Sequence, residues 1–76
     1  MSAHIRGKVL ALISEHQPPP SSDAEPLLLD SFAVVALLEA LEDAFDIRVR
    51  STEAVPENLA TLGRLVAFVE RKRGEA

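Results

Sequence analysis

Apolar residues with helical spacing in the middle of the chain constrain its fold most strongly. They recur at i, i+3, i+4, i+7 and i+11, which places their side chains on one face of an α-helix. The five residues are Val34, Leu37, Leu38, Leu41 and Phe45. Asp30 or Ser31, just ahead of them, suits the helix start, because a short side-chain oxygen accepts hydrogen bonds from the free N–H groups of the first turn. The pattern therefore predicts an amphipathic helix over residues 31–46.

Two shorter apolar stripes predict helices on either side of this one. The stripe of a first helix, over about residues 3–15, consists of Ile5, Val9, Leu12 and Ile13. The stripe of a last helix, over about residues 60–73, consists of Leu62, Leu65, Val66 and Val69. Asn58 or Thr61 is suited to cap the last helix. The cations at 71–73 lie in its last turn, where they favour the negative end of the helix dipole.

The connection between the first two helices combines a helix stop with a leucine run. The prolines at 18–20 end the first helix, because proline lacks the N–H group and disfavours helical angles in the residue before it. A loop over residues 17–29 follows. At least two of the three leucines at 27–29 are expected to fold back onto the core, since three exposed leucines would be a liability. Their packing would fix the position of Ser31.

The segment after the central helix indicates a second, shorter connection. Ile47 and Val49 are expected to turn inward from it, because no other segment is available to pair with a strand there. A short helix is expected within residues 51–58, where Pro56 interrupts it. We therefore predict an all-α fold, a single domain over residues 1–76 that forms a small three- to four-helix bundle with a short third helix.

The run that begins at Asp30-Ser31-Phe32 resembles the acyl and peptidyl carrier proteins. That family has an Asp-Ser-Leu motif, or a close variant, followed by an apolar helix, an acidic pair and a phenylalanine. Here Leu41-Glu42-Asp43 corresponds to the acidic pair and Phe45 to the aromatic residue, with no gap between them. The resemblance covers most of the chain and implies a bundle of the acyl-carrier type. Leu29 stands where many carriers have a glycine, which suggests a free-standing carrier.

The resemblance implies that Ser31 is the attachment residue of a 4′-phosphopantetheine arm, which a separate phosphopantetheinyl transferase takes from coenzyme A. In the family, the aspartate that corresponds to Asp30 helps this transferase to hold its metal ion. The thiol of the arm holds acyl or aminoacyl intermediates as thioesters, and the short third helix lines a pocket for them. Loading ligases and synthases of fatty-acid, polyketide, nonribosomal peptide or related biosynthesis are the implied partners. The protein itself would be a carrier and not an enzyme, without catalytic residues.

Partner enzymes of this family dock on an apolar spot that is ringed by acids beside the serine. The residues that correspond to this surface are Phe32, Val35, Glu39, Glu42 and Asp43. Because a helix of a small bundle hides only one face, Val35 is expected to be exposed. Phe32 is equally compatible with exposure and with filling a gap under the loop.

The charge distribution supports protein partners over nucleic acid. The net charge is −4, and between residues 9 and 47 there are eight acidic residues and no lysine or arginine. Such a field repels phosphates near the motif and attracts basic protein surfaces. Ala36 stands where many relatives carry a glutamate, and Arg48 and Arg50 follow where acids or neutral residues are common. Partner recognition is therefore expected to differ from that of the fatty-acid carriers.

Composition argues against several other classes of protein. The chain has no cysteine, and no acidic cluster at ligand spacing accompanies His4 and His16, so no metal site is expected. No apolar run reaches membrane-spanning length, and no charged-then-apolar leader precedes a cleavage site. The sequence therefore leads us to expect a cytoplasmic monomer without a membrane span.

Two other functions are compatible with parts of the sequence. A helical protein–protein adaptor would use the same amphipathic helices, with Ser31 serving only as a helix cap. A small hydrolase would need a histidine and a carboxylate to converge on Ser31, and His4 and His16 are poorly placed for that role. The carrier hypothesis is preferred because the resemblance runs without a gap through Phe45.

Overall fold

A computed structural model describes residues 3–74 of the chain. Within this range the α-helices are α1 (Ala3–Ile13), α2 (Ser31–Phe45), α3 (Pro56–Leu59) and α4 (Leu62–Gly74), and a 3₁₀ turn at Ser51–Glu53 precedes α3. The prediction of an all-α bundle with a short third helix is confirmed. None of the helices in this range has the length and apolar character that a membrane crossing requires.

The core lies between α1, α2 and α4, with one residue from the connection after α2. Its buried side chains are Ile5, Val9, Ile13, Leu37, Leu41, Phe45, Ile47, Leu62, Leu65, Val66, Phe68 and Val69. The stripe predicted for α2 is only partly buried, because Val34 and Leu38 are half-exposed. Leu38 packs at the edge of the core, and Val34 instead faces a cleft beside α3. Ile47 and Val49 turn inward as expected, the second of them half-buried.

The ends of α2 and α4 are set by local hydrogen bonds. Asp46 ends α2 in the left-handed conformation, with φ of 54°, and its N–H donates to the carbonyl of Glu42. The hydroxyl of Thr61 accepts from the N–H of Arg64 at 3.1 Å and so caps α4. Of the two cap residues that the sequence left open for α4, the structure uses Thr61.

Two other helix ends differ from the sequence-based expectation. α1 ends at Ile13, because the N–H groups of His16 and Gln17 both donate to the carbonyl of Ile13 and close the chain into a turn. Pro56 does not interrupt a helix but begins α3. The N–H of the first residue in a helix has no acceptor within that helix, so proline loses no hydrogen bond at this position. Its fixed φ also suits the helix.

Contacts with α1 and α4 fix the loop that leads to α2. The Arg6 guanidinium on α1 pairs with the Asp23 carboxylate at 2.6 Å, and the Asp23 carbonyl accepts from the N–H of Gly63 at 3.0 Å. A Cβ atom at Gly63 would lie 3.2 Å from that carbonyl, so glycine allows this close approach. Farther along, the N–H of Leu27 donates to the carbonyl of Ala60 at 2.8 Å.

At the end of this loop, two of the three leucines at 27–29 fold back onto the core, as predicted. Leu27 and Leu29 pack against the core, whereas Leu28 is 80% exposed. Successive side chains of an extended segment point to opposite sides, which explains why the middle leucine is the exposed one. The N–H of Leu28 donates to the side-chain oxygen of Gln17 at 2.6 Å, which adds a further link within the loop.

Candidate functional site

Ser31 is the first residue of α2, and it is exposed. The cap of the helix is the preceding residue, Asp30, whose Oδ1 accepts from the N–H of Ala33 at 2.8 Å. The carbonyl of Asp30 also accepts from the N–H of Val34 at 2.9 Å. The Ser31 hydroxyl makes no hydrogen bond within residues 3–74. The fold thus does not use this hydroxyl, and the capping role that the sequence left open belongs to Asp30.

The backbone around Ser31 suits a negatively charged group on its side chain. Within the described part of the chain, the N–H groups of Ser31 and Phe32 have no acceptor. Such groups at the start of a helix, together with the positive end of its dipole, favour an anion. The residues present therefore fit a phosphodiester on the Ser31 oxygen.

Two large apolar side chains near Ser31 are exposed on the surface. Phe32 is 82% exposed and Val35 is 55% exposed, and both belong to the first turns of α2. Of the two outcomes that the sequence left open for Phe32, the structure shows exposure. The inner face of α2 is already occupied by Leu37, Leu41 and Phe45, which leaves its outer apolar residues without a place in the core. An exposed apolar patch of this kind is typical of an interaction site.

The acidic residues of α2 continue this face towards its C-terminal end. Glu39, Asp43 and Asp46 are exposed, and Glu42 is half-buried. With Ile47 and Arg48 they line a groove of about 380 Å³. Glu42 has a second role, because its Oε2 accepts from the N–H of Val49 at 2.9 Å and holds the chain after α2. The predicted docking residues therefore lie along one side of α2, the apolar ones near Ser31 and the acidic ones farther away.

An apolar cleft of about 260 Å³ lies between the loop that ends at Asp30, the first turn of α2 and the α3 segment. Its lining residues are Leu27, Leu29, Val34, Ala54, Val55, Pro56, Leu59 and Ala60. An apolar cavity of about 150 Å³ is enough to bind benzene, so this cleft has room for a short apolar chain. Val34 is one helical turn beyond Ser31, which brings the cleft close to the exposed hydroxyl.

An ion pair that was not predicted from the sequence holds the segment before α3. Lys72 Nζ on α4 lies 3.1 Å from both carboxylate oxygens of Glu53, and Lys72 is only 8% exposed. From the sequence, Lys72 was grouped with Arg71 and Arg73 as a cation that interacts with the negative end of the helix dipole. A signal was present, because Lys72 follows Val69 by three residues and so continues the buried stripe of α4.

Glu53 also binds backbone and side-chain groups around it. The N–H of Arg50 donates to Glu53 Oε1 at 2.9 Å, and the amide of Asn58 donates to the Glu53 carbonyl at 2.8 Å. The hydrogen bond from the Arg50 N–H, followed by that from Lys72, lowers the pKa of Glu53 below its ordinary range. Through these contacts Glu53 connects the 3₁₀ turn, α3 and α4.

Catalytic and metal-binding arrangements are not found in the described range. Residues 3–74 contain no group of three or more His, Cys, Asp or Glu side chains that could hold a metal ion. His4 and His16 are both exposed, and neither forms a hydrogen bond with Ser31 in that range. The arrangement offers an exposed hydroxyl, an exposed apolar and acidic face of α2 and an apolar cleft.

Comparison with known proteins finds similarity to a carrier. An acyl carrier protein of Prochlorococcus marinus (strain MIT 9515) is 36% identical over 74 residues, which cover 88% of this chain and 90% of the relative. It is one of nine curated proteins with a significant match. No family model matches the chain. No solved structure matches it at the same level of significance.

Proposed function

The chain belongs to the acyl carrier protein family, and we propose that it carries acyl or aminoacyl intermediates on a 4′-phosphopantetheine arm attached to Ser31. Members of this family are carriers rather than enzymes. The observation that supports the attachment residue best is the exposed Ser31 hydroxyl, which the fold leaves without a hydrogen bond in residues 3–74. We further propose a cytoplasmic, monomeric protein that serves fatty-acid, polyketide, nonribosomal peptide or related biosynthesis.

Residues at the start of α2 would receive the arm. When attached, the arm supplies a thiol on which the intermediate is held as a thioester. Ser31 would contribute the ester oxygen, and the N–H groups of Ser31 and Phe32, which have no acceptor in the described residues, would stabilise the negative charge of the phosphodiester. No base is needed from this chain, because a separate phosphopantetheinyl transferase would activate the hydroxyl. Asp30 would help that enzyme to hold its metal ion through the carboxylate oxygen that does not cap α2.

The outer side of α2 would guide partner enzymes to Ser31. Phe32 and Val35 would fill an apolar pocket of the partner, and Glu39, Glu42 and Asp43 would face its basic residues. The positions 32 and 43 are about 16 Å apart along a helix, given its rise of about 1.5 Å per residue. Such a surface fits a partner with an apolar centre and basic residues to one side, where complementary charge raises the association rate.

The apolar cleft would shelter the apolar part of a bound intermediate. It lies beside the first turn of α2, within reach of a flexible arm that starts at Ser31. Removing an apolar chain from water is favourable in proportion to the area that is buried, about 25 cal/mol per Å². Intermediates with an apolar chain would therefore spend time in the cleft, and partners would have to draw them out.

The alternative of an adaptor with Ser31 as a plain helix cap has lost its main support. The N–H of Ala33 donates its capping hydrogen bond to Asp30 and not to Ser31. The carrier is preferred over the adaptor because the chain is similar to an acyl carrier protein over most of its length.

The proposed function is tested by intact mass spectrometry after incubation with coenzyme A and a broad-specificity phosphopantetheinyl transferase. We expect the wild-type protein to gain the mass of one phosphopantetheine. Circular dichroism of the same sample would establish that it is folded. An unchanged mass for folded protein, under conditions in which another carrier is modified, would contradict the proposal.

A further inference from the structure

We propose that Glu53 and Lys72 are positioning residues that hold the α3 wall of the apolar cleft in place, and that their ion pair sets how well a bound intermediate is shielded from solvent. The inference deepens the carrier function proposed above and rests on it.

The wall in question is a short segment that directly follows Glu53. Five of the eight residues that line the cleft belong to it: Ala54, Val55, Pro56, Leu59 and Ala60. Its helix, α3, has only four residues, and none of them is buried. A single helical turn is not stable on its own, so the position of this wall depends on its contacts with the rest of the bundle. In its middle, exposed hydrogen bonds run from Arg71 to Asn58 Oδ1 at 2.8 Å and from Arg64 to the Glu57 carbonyl at 3.3 Å, where water competes with them. The contacts that are less exposed to water lie at its two ends.

The ion pair fixes the first end of the wall. Both carboxylate oxygens of Glu53 lie 3.1 Å from Lys72 Nζ, and the N–H of Arg50 holds Oε1 from the other side. Lys72 belongs to α4, whose Phe68 and Val69 are buried in the core. The anchor is therefore attached to a helix that is packed into the core.

A different contact fixes the second end of the wall. The carbonyl of Ala60 accepts from the N–H of Leu27 at 2.8 Å, and Leu27 belongs to the opposite side of the cleft. This hydrogen bond does not involve Glu53. If the ion pair is lost, the wall keeps its contacts at Ala60 and with Arg64 and Arg71 and is loosened at Glu53, so the cleft opens at that end without unfolding of the core.

The burial of Lys72 makes the loss of its partner more costly than the loss of a surface contact. A pair between exposed side chains contributes little, because water and salt screen it. Lys72 is 8% exposed, and its ammonium group would lose a counter-charge if Glu53 were replaced by a neutral residue. The segment would then exchange between closed and open positions more often.

The first test uses the unmodified protein and hydrogen exchange of the amides of Asn58, Leu59 and Ala60, which all donate within the wall. In Glu53→Gln these amides are expected to exchange at least about two- to fivefold faster, which is the effect of losing an exposed ion pair and hence a lower bound for one with a buried lysine. Glu57→Gln is the matched control, because it makes the same change on an exposed residue of α3. Equal exchange in both variants would overturn the proposal.

The second test measures shielding of a loaded intermediate. The protein is loaded with an octanoyl or an acetyl arm, and cleavage of the thioester by hydroxylamine is followed by mass. In the wild type and in Glu57→Gln we expect the octanoyl thioester to be cleaved more slowly than the acetyl thioester. In Glu53→Gln the ratio of the two cleavage rates is expected to shrink about two- to fivefold. Equal protection in all three proteins, or no difference between the two acyl groups in the wild type, would overturn the inference.

Variants of Lys72 distinguish an ion pair from a general loss of stability. Lys72→Arg keeps the charge and is expected to restore wild-type protection, whereas Lys72→Met keeps the apolar stem and is expected to behave like Glu53→Gln. Val9→Ala, which leaves a cavity at a buried residue of α1 that does not line the cleft, should leave protection unchanged although it lowers stability. Loss of protection in Val9→Ala would show that stability alone explains the effect. Failure of arm attachment would refute the proposed function instead, and the intact mass reports that separately.

Discussion

The carboxylate of Asp30 accepts a hydrogen bond from the N–H of Ala33 at 2.8 Å, and this contact caps α2. The neighbouring Ser31 is left exposed, without a hydrogen bond to its hydroxyl in the described residues. The two residues of the motif therefore have separate tasks. Asp30 stabilises the helix start, and Ser31 is available for chemistry.

This division predicts different effects of two neighbouring substitutions. Asp30→Ala should lower the free energy of unfolding by about 1 kcal/mol, because the first turn of α2 loses its cap. Ser31→Ala should change it by less than about 0.5 kcal/mol, the usual range for exposed positions without such a role. Urea denaturation followed by circular dichroism measures both. An equal loss in the two variants would mean that Ser31 contributes to the cap.

Substitutions in the core should have much larger effects than one at the exposed Leu28. Leu41→Ala and Phe45→Ala are each expected to lower the free energy of unfolding by about 2–5 kcal/mol, because both side chains are buried and each change leaves a cavity. Leu28→Ala is the control, because Leu28 is exposed and its loss opens no cavity. A wild-type melting midpoint for Leu41→Ala would show that the central stripe is misplaced.

Two ion pairs predict how stability changes with pH. The hydrogen bond from Arg6 holds the pKa of Asp23 below its ordinary value of 3.8, and the contacts of Glu53 hold its pKa below 4.5. A lowered folded-state pKa means that the unfolded chain binds more protons in this range. The stabilisation is therefore complete above the ordinary values and is lost as the pH falls through the folded-state values.

We accordingly expect the midpoint of thermal unfolding to fall as the pH drops below 4.5, the ordinary value for glutamate. Asp23→Asn and Glu53→Gln should each reduce this decrease, since neither amide titrates. The measurement is thermal unfolding of the three proteins over a series of acidic buffers. The same slope in both variants as in the wild type would contradict the assignment of these two carboxylates.

The outer face of α2 predicts a charge-dependent effect on partner enzymes. Asp43→Lys should lower kcat/KM of a transferase with a basic docking surface, mainly through slower association, and added salt should reduce the difference. Glu15→Lys makes the same charge change on an exposed residue outside α2 and serves as the control. If both variants lower kcat/KM equally, only the net charge matters, and the assignment of the docking surface to the outer face of α2 is wrong.

Phe32→Ala separates the apolar part of the docking surface from the acidic part. Phe32 is 82% exposed, so its truncation should leave stability unchanged while it weakens the binding of partners. Transferase kinetics and thermal unfolding of the same variant measure the two effects. A loss of stability with unchanged kinetics would mean that Phe32 has a structural role.

The central helix was predictable because its signals are local. The spacing of Leu37, Leu41 and Phe45 fixes which side faces the core, and an acidic residue at the start favours a cap. The same pattern could not decide the orientation of Phe32. A side chain at the helix start is able to turn under the preceding loop. In the structure Leu27 and Leu29 of that loop pack against the core, and Phe32 stays on the surface.

The ion pair of Glu53 and Lys72 shows why other parts were not predictable. The two residues are 19 positions apart, and neither helix propensity nor periodicity specifies which acid meets which base over such a distance. The periodicity of α4 did predict that Lys72 lies on the buried side of this helix. It could not predict that Glu53 is the acid it meets, because that depends on where the tertiary fold places the segment after α2 relative to α4.

The central claim is that Ser31 receives the arm, and localisation of the added mass tests it most directly. The modified protein is fragmented in the mass spectrometer, and Ser31→Ala is treated in parallel with Ser22→Ala, a loop serine, as the matched control. The account predicts that all added mass maps to Ser31, that Ser22→Ala is modified normally, and that Ser31→Ala remains unmodified although it is folded. Modification of Ser31→Ala, or localisation to any other residue, would contradict it.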